Sequence, residues 1–142
     1  MKKNWREIKL FTAVANFYFT TIEGKTKFTY AIEKVSKKLA HILDEYNEEV
    51  DDVKIDHANE DPNTKSILYN DKGGYQYTKQ QLKDLKKALK KVEDKWNSKE
   101  FDIEGYYVTE DSLPEDLDDT TKQALVGFVI EQTQEIVEAE AN

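Results

Sequence analysis

The sequence predicts a mainly α-helical protein of the α+β class. Its centre is a long antiparallel helix pair, flanked by N- and C-terminal helices and a small antiparallel β-hairpin or three-stranded sheet. Two apolar stripes and one charge pattern predict this. Phe28, Ile32, Val35, Leu39, Ile42 and Tyr46 follow steps of four, three, four, three and four. Leu82, Leu85, Leu89, Val92 and Trp96 follow steps of three, four, three and four. Such spacing lines one face of a helix. The charges alternate in blocks: residues 1–43 hold nine basic and three acidic side chains, 44–71 two and ten, 72–99 nine and three, 100–142 one and thirteen. Folded antiparallel, the lysine-rich start of the second stripe-bearing helix meets the acidic Asp44–Asp52 end of the first. The first of these helices, basic at its start and acidic at its end, opposes its own dipole, so a partner that offsets it is physically reasonable. Each exposed pair contributes only ~0–1 kcal/mol, so the charges set orientation more than stability.

Each element follows in order. Residues 5–19 carry Ile8, Phe11, Val14, Ala15 and Tyr18 at helical spacing, with Phe17, Phe19 and Ile22 on other faces. Thr20-Thr21-Ile22 leaves a short strand open as an alternative at the end of this element, and Gly24 closes it. The long helix is expected over 26–55, about 45 Å at 1.5 Å per residue, with Thr26 as N-cap. A polar loop follows. The runs 66–69 and 75–77 then flank Asn70-Asp71-Lys72-Gly73-Gly74, a hairpin pattern. Thr78 and Gln81 have capping-box spacing and open a helix over 78–97. Phe101, Ile103, Tyr106, Tyr107 and Val108 predict a strand over 101–108 that can add to the hairpin, since an isolated hairpin is marginal. Ser112 and Glu115 repeat the capping-box spacing around Pro114. The last helix is expected over 119–137, with Leu125, Phe128, Val129 and Ile136 buried and Val126 and Ile130 widening the stripe. The final residues 138–142 are expected to fray.

The chain of 142 residues suits one domain. At this size roughly two thirds of the unfolded surface can be buried. Charged residues make up 35%, a fraction that long amphipathic helices accommodate because they expose much charged surface for each buried side chain. With no cysteine there is no disulfide, thiolate metal site or cysteine nucleophile. The start, Met1-Lys2-Lys3-Asn4-Trp5-Arg6-Glu7, makes a poor signal peptide, and no apolar run reaches the ~20 residues of a membrane span. A cytoplasmic protein, in a host cell or in a particle assembled there, is expected.

No catalytic, cofactor-binding or metal-ligating set emerges. His41 and His57 are sixteen residues apart, about 24 Å along a continuous helix, too far to share a metal. His57 has Asp52, Asp56, Glu60 and Asp61 near it in sequence, a pattern that fits a solvated acidic loop. Asp71 alone is no calcium loop, and the 70–74 turn lacks the Lys-Ser/Thr of a phosphate loop. Paired acids such as Glu48 and Asp52 need an apolar pocket before they become catalytic. The lysine helix and the scattered tyrosines suit nucleic acid in part, but the acidic total and the internal partner for those lysines argue against it. The acidic C-terminal block reads first as a solvated tail packed against the basic N-terminal block, and otherwise as an interaction surface. Asp116, Asp118, Asp119 and Glu131 are its candidate interaction residues.

Gly24-Lys25-Thr26-Lys27-Phe28 opens a long charged helix. Ile67-Leu68-Tyr69-Asn70-Asp71-Lys72-Gly73-Gly74-Tyr75, a Lys/Leu helix and a short aromatic strand follow. In this layout the stretch 24–107 resembles small uncharacterised proteins of tailed phages, which also carry an N-terminal apolar helix. The resemblance implies a non-enzymatic, phage-encoded component of the virion, tail or assembly machinery, acting by protein–protein contact. It supplies no catalytic residues. The alternative expectation is an intracellular acidic inhibitor or regulator of a host protein, one form of which is a DNA mimic. The expected partner is another protein or a second copy of the chain, not nucleic acid or membrane.

Overall fold

The computed structural model describes residues 2–132. Among them are a strand β1 (Lys2–Asn4), helices α1 (Trp5–Thr21), α2 (Lys27–His57) and α3 (Lys79–Asn97), a second strand β2 (Glu100–Asp102) and a short helix α4 (Asp119–Leu125). The mainly helical class with a small antiparallel sheet is as the sequence predicts. The residues fall into two compact units. Of the described residues, one unit joins those up to 41 with those from 99 onward, and the other is 42–98, so α2 contributes its first half to one and its second half to the other.

In the first unit, β1 and β2 pair antiparallel, with Lys3 opposite Phe101. Asn4 then caps α1: its side chain accepts from the Glu7 amide at 2.9 Å, and Glu7 answers by accepting from the Asn4 amide at 3.1 Å. Two of the orphan amides at the helix start are thereby satisfied. Trp5, Ile8, Phe11, Ala15 and Tyr18 point inward from α1, and Phe28, Ala31, Ile32, Val35 and Leu39 from α2. Phe11 stacks on Phe128 with centroids 4.5 Å apart, and Tyr18 meets Phe28 edge-on at 5.0 Å. Thr26 caps α2 as predicted, accepting from the Thr29 amide at 3.0 Å. A buried lysine completes the arrangement: Lys3 Nζ donates to the Val126 carbonyl at 2.9 Å and to Glu7 at 3.3 Å, above the Phe128 ring.

The second unit holds the antiparallel pair of α3 with the second half of α2. Tyr46 donates to Glu93 at 2.5 Å, Trp96 Nε1 and Lys95 Nζ donate to Glu49 at 2.6 and 2.7 Å, and at the opposite end Tyr77 donates to the Lys54 carbonyl at 3.0 Å. Thr78 and Gln81 form the predicted capping box. The pairing direction is the one the charge blocks imply, but its contacts run through Tyr46, Glu49, Glu93, Lys95 and Trp96. Of the predicted α3 stripe, Leu85, Val92 and Trp96 are buried, while Leu82 is exposed.

Three sequence expectations are corrected. The last helix does not run over 119–137. It stops at Leu125, because Val126 turns extended and Gly127 takes φ +84°, a backbone conformation that a helix cannot hold. The amides of Phe128, Val129 and Ile130 all point to the Leu125 carbonyl instead. Residues 133–137, with Ile136, and the fray expected at 138–142 lie outside the described residues. The helix is capped by Asp118, whose carboxylate accepts from the Thr121 amide at 2.7 Å, rather than by Ser112 and Glu115. The sheet also differs. Only residues 100–102 of the 101–108 run and its neighbour form a strand, and they pair with Lys2–Asn4. Tyr106 and Val108 instead donate to the carbonyls of Phe128 and Val129. The 66–77 hairpin is present as single bridges, Glu60 with Ile67 and Tyr69 with Tyr75, around a turn organised by Asn70, whose side chain accepts from the Lys72 and Gly74 amides.

Candidate functional site

An amphipathic helix should show one apolar face. Helix α1 shows two. Opposite its buried face, Leu10, Ala13, Val14 and Phe17 recur at steps of three, one and three; Leu10, Ala13 and Phe17 are exposed, and Val14, expected on the core stripe, is half-buried here instead. Leu10 is 51% exposed and Phe17 59%. Phenylalanine is costly to leave in water, and an apolar stripe with a polar rim is the usual mark of a contact surface.

The rim comes from the segment that leads into α4. Asp116, Asp118 and Thr121 close a groove of about 430 Å³ whose floor is Ala13, Val14, Phe17 and Tyr18. Asp118 is fixed there by its capping role. Its carboxyl is held below the usual range, chiefly by hydrogen bonds from Thr121, so it stays ionised. Tyr18 reports the same field from inside: burial first, then the negative charges of Asp116 and Asp118, push its hydroxyl up. The groove therefore joins an aromatic floor to a fixed negative edge. Such a surface suits an apolar side chain flanked by lysine or arginine.

The predicted interaction residues thus divide. Asp116 and Asp118 share the groove. Asp119 follows as the first residue of α4, exposed and favourable to the dipole there. Glu131 lines a separate depression with Lys122 and Ile130. Sequence reading names the acids and not their apolar counterpart, although helical spacing already sets Phe17 on a face other than the core stripe.

The remaining polar candidates have local structural roles. His41 is exposed on α2. His57 ends that helix, with Nδ1 2.9 Å from the Val53 carbonyl. Asp61 accepts from the amides of Asn63 and Thr64, which hold its carboxyl below the usual range. Among the described residues, no group of three or more His, Asp or Glu side chains is arranged to hold a metal ion. No helix among them is long and apolar enough to cross a membrane. Comparison with protein-family models, with curated proteins and with solved structures finds no match.

Proposed function

We propose that the chain is a non-enzymatic protein-interaction component, of the virion, tail or assembly kind in a tailed phage, and that the α1 groove receives a basic amphipathic segment of its partner. The observation that carries this reading is the exposed Phe17 in a groove edged by the carboxylates of Asp116 and Asp118, the latter fixed by its cap on α4. Burying a phenylalanine side chain contributes ~1.5–3 kcal/mol, and the carboxylates select for cationic flanks. A partner bearing an apolar anchor between basic residues meets both demands.

A second reading has its own support. The acids at and before the start of α4 could instead occupy a basic site on a host protein, as an inhibitor does. The two readings share the surface and differ in the partner. Capture of the tagged chain from infected cells separates them: a particle protein supports the assembly role, a host protein the inhibitor role. In either case Phe17→Ser, and Asp116→Asn with Asp118→Asn, should each reduce the recovered partner about tenfold. Equal recovery by the folded variants would remove the groove from the account.

A further inference from the structure

Elsewhere in the first unit lies a cavity of about 530 Å³ at the entry to α2, and the groove on α1 does not use it. Its chemistry is of another kind. Tyr30 and Tyr106 meet edge-to-face across it with centroids 5.7 Å apart, and Tyr107 adds a third ring. Tyr106 and Tyr107 are 41% and 42% exposed, so both offer ring surface to a ligand. Lys25 and Lys27 line the same cavity. The ammonium groups of Lys25 and Lys34 each stand 5.4 Å from the centroid of Tyr30.

The charge balance favours an anion. The ammonium groups of Lys25 and Lys34 stand by Tyr30, and Lys27 joins Lys25 in the cavity lining. Among the acids, Glu33 lies by Lys25 and Asp111 by Lys27. Glu33 lies 3.9 Å from Lys25 but 3.3 Å from Lys37, so it is shared. Asp111 feels Lys27 but is held mainly by the hydroxyl of Thr109. Thr109 and Ser112, hydroxyls 3.2 Å apart, supply neutral donors at the rim. A ligand that fits carries a planar ring for the tyrosines and an anionic group for the lysines. A cavity of this size falls within the ~300–1,000 Å³ range of small-molecule sites.

We propose that this cavity binds a phosphorylated nucleoside, with its base against Tyr106 and Tyr107 and its phosphate between Lys25 and Lys27. The same chemistry is offered by a free nucleotide and by the end of a single strand, and titration of the full chain tells them apart. The probes are ATP, a short oligothymidylate and inorganic phosphate, followed by calorimetry at low and raised salt. Saturable binding of ATP or of the strand is expected, weakening as salt rises. The tighter of the two identifies the source. Tyr106→Ala, and Lys25→Ala with Lys27→Ala, should each weaken it about tenfold. Lys86→Glu on α3 should leave it unchanged. All these positions are exposed, and circular dichroism checks that the variants fold. Absence of saturable binding at millimolar ligand overturns the proposal, as does binding that the folded variants retain. Inorganic phosphate binding as tightly as ATP would also overturn it, since the rings would then contribute nothing.

Discussion

At the scale of single residues, Gly105 shows how a missing side chain shapes a surface. A Cβ built there would stand 2.5 Å from Cε1 of Tyr107 and 2.8 Å from the Phe128 carbonyl oxygen. That oxygen accepts from the Tyr106 amide, so backbone as well as ring would have to move. Gly105→Ala should therefore destabilise the protein by ~1–3 kcal/mol, read as a lower urea midpoint by circular dichroism. An unchanged midpoint would mean that the 105–108 segment is loosely held. Sequence alone does not reveal this constraint. Gly105 lies in an aromatic run that reads as a strand, and the clash is with a carbonyl more than twenty positions away. Phe17 differs, because its place off the core stripe is legible from helical spacing. Which acids lie beside it is not legible, since Asp116 and Asp118 reach it only through the packing of α4 on α1.

At the scale of elements, the three long helices are legible from their apolar periods, with a start signal at Thr26 and Thr78; the Asn4 cap of α1 is seen only in the structure. The last helix misled for a physical reason. Leu125, Phe128 and Val129 are buried as their spacing predicts, but a tight turn through Gly127 buries them as well as a helix would. Periodicity reports which side chains are inside, not the path of the backbone between them. Strand pairing was similarly underdetermined, since β2 found the N-terminal residues Lys2–Asn4, whose three polar or basic side chains carry no strand signal. The helix pair yields a prediction of its own. Burial and the hydrogen bond to Glu93 push the Tyr46 hydroxyl up to about 12 from its usual 10. Its contribution to stability is then complete below pH 10 and is lost as pH rises from 10 towards 12, because the unfolded chain releases that proton first. Denaturation of wild type and Tyr46→Phe across this interval should show a steeper loss in the wild type. Parallel curves would mean that Tyr46 is not held by Glu93.

At the scale of the whole molecule, the antiparallel direction of α3 against the second half of α2 agrees with the alternating charge blocks, but the bonds that fix it use few of the lysines. The lysines Lys79, Lys83, Lys86 and Lys87 are exposed. The net charge of −8 is thus a poor guide to what the surface meets, because a basic aromatic cavity and an acidic apolar groove occur in the same unit. The two proposed binding roles lie at those two places. The central claim is that the α1 stripe is a docking surface for a basic partner, and photo-crosslinking tests it most directly. Phe17, and separately the exposed Leu82 of α3, would be replaced by a photoreactive phenylalanine in cells that contain the partner, and the adducts identified by mass spectrometry. The account predicts an adduct from position 17 to a lysine- or arginine-flanked apolar segment of another protein, and none to that segment from position 82. An adduct from 17 to a second copy of the chain, or no adduct from 17 while 82 gives one, would contradict it.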